Sequence, residues 1–492
     1  MTLTATHLLA LTPPILVCAT AILVMLAIAW RRHHTGIAIV SVVGLNLALL
    51  SLIGVSWMAP LAAPMLAVDG LAIFAAALIL VAALACATLA HAYLAHYTGP
   101  REEFYLLLLC ATAGGMVLAA STHLATLFLG LELLSIPLYG MLAYVYGERR
   151  SLEAGVKYLV LSAAATTFLL FGMALLYAET GRLDIAGLAA RLGGDIGAWG
   201  LAGAALMLMG LCFKLSVVPF HMWTPDVYEG GPAPAATFLA AASKVAVFVV
   251  LLRLMTAAPA FQNSDLHDVL AALAVLSMLV GNLLALTQSN LKRLLGYSSI
   301  AHFGYLLTAL VIGDGLSIEA AGVYLVSYLL ATLGAFGVVT LISSPHASSP
   351  YVAGAHGGTD AAGLHHYRGL FWRRPYLTAV LTISLLSMAG IPFTAGFIGK
   401  FYIIALGVEA ERWWLVGAVI VGSAIGLFYY LRVMVTLFLT EAGMQRRDAP
   451  ENWAIQAGGV VVLGAAALIV ALGIYPVPII EWTQNVRVLT GG

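Results

Sequence analysis

The sequence predicts an all-α integral membrane protein of about 14 transmembrane helices. Three observations predict it. The 492 residues are 62% hydrophobic and only 9% charged, with a mean hydropathy of +1.01. Soluble domains carry roughly 25% charged residues, so a chain this long and this poor in charge cannot cover a water-facing surface. Apolar runs of about 20 residues, enough to cross the hydrocarbon of a bilayer, recur along the chain between short loops. The runs are continuous and do not alternate in ten-residue segments, which favours helices over a barrel.

In chain order the runs are 7–30, 36–58, 71–97, 103–120, 122–146, 154–178, 198–226, 232–256, 266–289, 293–313, 317–342, 376–406, 411–440 and 453–475. The first has no charge ahead of it and "RRHH" behind it. A cleaved signal peptide has the opposite arrangement, so this run is expected to remain as a helix. Residues 1–492 read as a single membrane domain: three helices in 1–100, a repeat in 101–256, a second repeat in 266–440, and a last helix at 453–475.

The formal net charge is zero and there is no basic tract, so nucleic acid is not an expected partner. Cys18, Cys86, Cys110 and Cys212 lie far apart inside apolar runs with no CxxC. They read as small buried or lipid-facing residues rather than disulfides or metal ligands.

Charge placement orients the spans. With the N-terminus outside, the inner loops hold Arg31, Arg32, Arg101, Arg149, Arg150, Lys292, Arg293, Arg368, Arg373, Arg374, Arg446 and Arg447. The outer loops hold only Arg182, Arg191, Arg412 and Arg487. Positive charge concentrates on the cytoplasmic side of membrane proteins, and an even number of spans puts both termini on the outer side.

The remaining basic residues, Lys157, Lys214, Lys244, Arg253, Lys400 and Arg432, fall within or at the edge of apolar runs, as does the acidic Glu132 in "LGLELLSIP". A charge at the bilayer centre costs about 2.5–3.5 kcal/mol on insertion scales. Arg253, near its helix end, reads as a side chain that snorkels to the interface. Arg432 and Lys157 fit either snorkelling or function. Glu132, Lys214, Lys244 and Lys400 fit snorkelling poorly and are the candidate proton-carrying groups.

Two of these lysines stand beside prolines. In "FKLSVVPFHMWTPD" (213–226) Pro219 follows Lys214, and in "SMAGIPFTAGFIGKFY" (387–402) Pro392 precedes Lys400. Proline removes a backbone donor and breaks the helix. In hydrocarbon the freed carbonyls need water or polar side chains, so each break is expected to mark a polar site. The shared Pro-Phe pairs are 173 residues apart (219 to 392). That offset carries the fourth to eighth runs onto the ninth to thirteenth. Five spans is an odd number, so the second copy enters from the opposite side. The expected architecture is therefore two inverted five-helix repeats, each containing a broken helix, as in many transporters.

"FKLSVVPFHMWTPDVYEGGPAPAATFLAAASK" (213–244), "NLKRLLGYSSIAHFGYLL" (290–307) and "GIPFTAGFIGKFY" (390–402) closely resemble the antiporter-like membrane subunits of bacterial respiratory complex I, the NADH-quinone oxidoreductase. That family also includes the large subunits of multisubunit Na⁺/H⁺ antiporters. The resemblance runs from about the third helix to the thirteenth. Of the three types in complex I, the L type carries a long lateral helix at its end, whereas this chain stops soon after its last run. The M type typically has glutamate where Lys400 stands. The third type is the expected one.

The resemblance implies that Glu132 is the family's buried glutamate of the fifth helix, and that Lys214 and Lys244 are its lysines of the seventh and eighth. Lys400 would be the terminal residue on the broken twelfth. Lys157 matches a sixth-helix lysine near the glutamate. His302, mid-run in the tenth helix, is either structural or a bridge between Lys244 and Lys400. These residues would form a hydrated axis carrying protons, driven by redox chemistry in other subunits. FMN and iron–sulfur clusters are expected in those partner subunits, and the chain is expected in the bacterial inner membrane beside other membrane subunits. The competing reading is a large subunit of a multisubunit cation/proton antiporter driven by an ion gradient.

There is no GxGxxG, Walker or HExxH motif, so this chain is expected to bind no NADH, flavin or cluster. His221 and Asp226 read as loop structure. The stretch 343–375, with His346, His356, His365 and His366, has no cysteine or regular ligand spacing. It reads as an inner loop.

Overall fold

The structure, a computed structural model, describes residues 4–440 and 457–488 apart from 64, 96, 193–195, 258–260, 262, 314–315, 344–359 and 487. The helices of the first half are α1 (Ala5–Ala10), α2 (Thr12–Trp30), α3 (His34–Ser56), α4 (Gly70–Leu94), α5 (Glu103–Ala119), α6 (Leu124–Leu142), α7 (Arg149–Thr180), α8 (Ile185–Arg191), α9 (Ala198–Leu215), α10 (Trp223–Gly230), α11 (Ala233–Phe238) and α12 (Lys244–Ala257). Those of the second are α13 (Ser264–Leu286), α14 (Leu291–Ile312), α15 (Ser317–Ile342), α16 (Leu370–Arg373), α17 (Pro375–Ala389), α18 (Ala395–Glu409), α19 (Trp413–Phe438), α20 (Ala457–Ile474) and α21 (Val477–Gln484).

Among the described residues, eleven helices are long and apolar enough to cross a membrane, or twelve if the pair α20–α21, bent by 84°, counts as one span. Prolines and glycines decide where the other apolar runs divide. The first run splits into α1 and α2, with Pro13 and Pro14 in the first turn of α2, where proline's missing N–H costs nothing. The expected run 103–120 appears as the 17-residue α5. The run 376–406 appears as α17 and α18, 15 residues each. Residues 233–257 form one continuous span that is wholly buried, whereas the α2 span is only 22% buried. The molecule is thus built around α11–α12, α14 and α15, with α2, α3, α7, α13 and α19 outside them.

The connections gather at two ends. At one, strands β1 (Leu61–Ala63) and β2 (Leu66–Val68) pair antiparallel, Leu66 bridges to Ser121, and His123 bridges to Asp184. At the other, Asn290 bridges to Gly363, and Arg150, Asp226 and Arg293 join an ion-pair cluster. These are the groups of loops that the charge count assigns to opposite sides.

Both predicted breaks exist, and both begin in the same way. Helix α9 ends with Ser216 in the left-handed conformation (φ 64°), and α17 ends with Gly390 at φ 81°. The N–H of Val217 donates to the carbonyl of Cys212 and that of Ser216 to Phe213. Ile391 donates to Leu386 and Gly390 to Ser387 in the same pattern. This is the Schellman end, which satisfies carbonyls that the helix cannot. The caps are 174 residues apart (216 to 390), one more than the prolines, so the chain between cap and proline is one residue shorter in the second copy. The breaks then run over 216–222 and 390–394.

Candidate functional site

Lys214 lies in the last turn of α9, where the helix's carbonyl end favours a cation. Its Nζ donates to Ser162 Oγ at 2.5 Å and Ser135 Oγ at 2.7 Å and faces the Tyr158 ring 5.5 Å away. Tyr139 shares Ser162 through a 2.7 Å hydroxyl contact. Glu132 stands one turn before Ser135 on α6. Its Oε1 accepts from Thr166 at 3.1 Å, and Thr166 is one turn along α7 from Ser162, since residues four apart share a helix face. The carboxylate and the ammonium are thus brought to the same pair of helices with hydroxyls between them and no ion pair.

Lys244 follows a single π turn, Leu239–Ser243, a local widening frequent at functional sites. It is fully buried. Its Nζ donates to Ser299 Oγ at 2.8 Å and lies over the rings of Phe303 and Tyr228, 5.0 and 5.7 Å away. Ser299 also meets Tyr328 Oη at 2.7 Å, and Tyr328 donates to the Ala240 carbonyl inside the π turn at 3.2 Å.

His302 is buried on α14. Its Nδ1 is bonded to Tyr324 Oη at 2.6 Å and its Nε2 to Tyr430 Oη at 3.2 Å. Tyr430 also bonds Ser298. One small cavity is lined by His302, Tyr324, Ser327, Tyr328, Ser387 and Lys400, so His302 and Lys400 face one space. Lys400, from α18, donates to the carbonyl of Ala389 at 3.0 Å and lies 5.0 Å from the Tyr305 ring. It caps the half-helix that ends beside it. The close approach needs Gly396, because a Cβ there would fall 1.8 Å from the Ser387 carbonyl oxygen.

Among the described residues, none of Lys214, Lys244 and Lys400 forms an ion pair. Each ammonium is held by hydroxyls, a carbonyl or aromatic faces. Such neutral partners stabilise a charge without a fixed counter-charge, so a proton can leave without stranding an anion.

Other predicted residues lie elsewhere. Lys157 is not beside Glu132. It pairs with Glu153 at 2.6 Å and Asp226 at 2.8 Å in a cluster where Arg293 meets Asp226 at 2.6 Å and Glu229 at 2.9 Å. These side chains line an open cleft at the loop end, because Lys157 is five residues nearer the start of α7 than Ser162. Asp226, read as loop structure, stands instead in the first turn of α10 and holds ion pairs. Arg253 does not snorkel. It is buried and forms a two-pronged pair with Asp69 at 2.7 and 2.9 Å. Arg432 donates to the carbonyls of Leu286 and Gln288 at 2.6 and 2.7 Å, capping the end of α13. Lys292, read as a loop residue, is buried. It pairs with Asp360 and donates to the Gly231 carbonyl at 2.6 Å. The described part of 343–375 is thereby tied to α14 and α10, and the rings of His365 and His366 lie 4.0 Å apart. His346, His356, Arg446, Arg447 and Arg487 lie outside the described residues.

Sequence reasoning missed the hydroxyl partners Ser135, Ser162, Thr166, Ser299, Tyr324, Tyr328 and Tyr430. The available signal was helical spacing: Ser135 is three residues from Glu132, and Ser162 and Thr166 are four apart.

A family profile described as "NADH:quinone oxidoreductase/Mrp antiporter, TM" matches residues 121–426, which hold all six candidate residues. The chain belongs to that family of multi-pass membrane subunits. Within it, the chain is similar over its whole length to NADH-quinone oxidoreductase subunit N. It is 68% identical over 483 residues to that subunit of Chromohalobacter salexigens, covering 97% of this chain and 99% of the relative. It is 57% identical over 488 residues to that of Ectopseudomonas mendocina, covering 98% and 97%. A chain of the respiratory complex I of Thermus thermophilus, solved with bound aureothin, superposes with a TM-score of 0.81 at 34% identity, covering 96% of this chain and all of that one. The resemblance carried by the three motifs thus extends across the chain.

Proposed function

We propose that the chain is a proton-translocating, antiporter-like membrane subunit of a bacterial NADH:quinone oxidoreductase. Protons move along Glu132, Lys214, Lys244, His302 and Lys400, driven by redox chemistry in partner subunits that carry FMN and iron–sulfur clusters. The supporting observation is the set of three buried lysines, each held by neutral partners in place of a carboxylate. Two ammonium groups close together in a low dielectric repel, so loading one drives the next to empty. The relatives at 68% and 57% identity favour this reading over a gradient-driven cation/proton antiporter.

In this reading the residues 101–256 and 266–440 are inverted repeats, which the matching ends of α9 and α17 support. The chain lies in the inner membrane with both termini on the periplasmic side and packs against other membrane subunits. The cleft around Lys157 then opens to the cytoplasm and assists proton entry. The test is proton pumping by inverted membrane vesicles containing the assembled complex. Lys214→Met and Lys244→Met should each lower NADH-driven acidification with subunit content unchanged. Wild-type acidification in both would defeat the proposal, and co-purification of antiporter subunits without a flavoprotein would favour the alternative.

A further inference from the structure

We infer that Ser299 and Tyr328 form a gated hydroxyl link between Lys244 and the cavity shared by His302 and Lys400. The inference rests on the proton path proposed above and assigns two residues that the path did not contain.

Lys244 Nζ donates to Ser299 Oγ at 2.8 Å, which leaves the Ser299 hydroxyl hydrogen free to point to Tyr328 Oη at 2.7 Å. Tyr328 in turn donates to the Ala240 carbonyl at 3.2 Å. The three bonds form a directed chain that stops at a carbonyl, which accepts hydrogen bonds but cannot pass a proton on. Tyr328 is also a wall of the cavity containing His302 and Lys400. Its ring packs against those of His302 and Phe303 with centroids 5.4 and 5.3 Å away, so the ring is fixed while the hydroxyl hydrogen can rotate about its C–O bond.

The gate is that rotation. With the hydrogen on Ala240 the link is closed. Turned toward the cavity, it meets a space that holds about one water molecule, whose polar partners are already in place. In the transfer, the Lys244 ammonium gives one proton to Ser299 Oγ. The Ser299 hydroxyl proton passes to Tyr328 Oη, the Tyr328 proton passes through cavity water to Tyr324 Oη, and the Tyr324 proton passes to His302 Nδ1, to which that hydroxyl is bonded. Lys244 ends neutral, His302 ends protonated, and all three hydroxyls are restored. The π turn has a role here: it presents the Ala240 carbonyl to Tyr328 and places Lys244 at the start of the regular helix that follows.

The experiment uses the assembled complex in inverted vesicles, with protons pumped per NADH oxidised as the readout. Tyr328→Phe keeps the ring and removes the hydroxyl. Ser299→Ala removes the other hydroxyl, and Ser299→Thr retains it. Tyr328→Phe and Ser299→Ala should each lower the pumping ratio by half or more, Ser299→Thr should restore most of it, and the double variant should be no worse than either single one, because both act in one link. A purely structural role would make the two losses add and would not separate Thr from Ala. Wild-type pumping by assembled Tyr328→Phe overturns the inference. Should that variant fail to assemble, equal pumping by Ser299→Ala and Ser299→Thr overturns it. Lys244→Met in the same series separates the two levels: normal pumping there defeats the proton path itself, whereas loss in Lys244→Met with normal Tyr328→Phe defeats only the link.

Discussion

Lys400 Nζ donates to the carbonyl of Ala389 at 3.0 Å, so the side chain of one half-helix closes the end of the other. The charge is therefore tied to the break as well as to the cavity it faces. Lys400→Met is expected to leave that carbonyl without its partner and to abolish pumping coupled to quinone reduction. Lys400→Arg keeps a charge that cannot be released at accessible pH and is expected to impair pumping as well. Acidification by vesicles carrying each variant checks this. An arginine variant that pumps like wild type would limit Lys400 to a fixed positive field.

The same break predicts an effect of Gly390. Its φ of 81° costs about 1–2 kcal/mol for a residue with a Cβ, and that Cβ would lie 2.7 Å from Lys400 Cδ. Gly390→Ala should displace Lys400 and reduce pumping in complexes that still assemble. Subunit content on a native gel, read beside the pumping ratio, distinguishes this from misfolding.

Glu132→Gln should assemble normally. The amide oxygen can still accept from Thr166, as the carboxylate does at 3.1 Å, but the amide cannot carry a proton between the two sides. Lower acidification and lower coupled quinone reductase activity are the expected results. Unchanged pumping would remove Glu132 from the path.

Lys157 and Lys214 should behave differently despite matching family lysines. Lys157 is 41% exposed in an open ion-pair cluster, and exposed pairs are worth about 0–1 kcal/mol. Lys157→Met should slow proton uptake without stopping it, whereas Lys214→Met should stop it. Initial rates of acidification at low and high salt compare the two, with the Lys157 effect diminishing as salt screens the cleft.

Arg253 and Asp69 make a stability prediction. Both side chains are nearly inaccessible, 2% and 0% exposed. Removing one partner of a buried pair costs about 3–5 kcal/mol, because the other charge is left uncompensated. Arg253→Met should deplete the subunit from membranes. The double change with Asp69→Leu should recover part of it, although Asp69 also accepts from the Ala72 N–H at the start of α4. Immunoblots of membranes give the answer, and a double variant no better than the single one would show that Asp69's other bonds dominate.

Much of the architecture was legible from residue order. Each span must satisfy its own backbone bonds in hydrocarbon, so span positions follow from local composition, and Pro219 and Pro392 lie within the two breaks, whereas Pro137 sits inside the unbroken α6. The offsets at the two breaks differ by one residue because the Schellman caps depend on the residue that can turn left-handed, Ser216 or Gly390, and not on the prolines. The bend between α20 and α21 falls at Pro476, a signal of the same kind that the charge pattern did not bring out.

The sequence by itself determined the class of protein, the broken spans and the costly charges Glu132, Lys214, Lys244 and Lys400, because an ionisable group in an apolar helix stands out against its neighbours. Only the tertiary structure decided what each charge meets. Lys214 finds Ser135 and Ser162 across 79 and 52 residues, Lys244 finds Ser299 across 55, and Arg253 finds Asp69 across 184. Serine and tyrosine are ordinary in such helices, so nothing in their order marks the few that face a lysine. Which hydroxyl lies within hydrogen-bond reach depends on helix rotation and close packing between distant segments, and those exist only in the folded molecule.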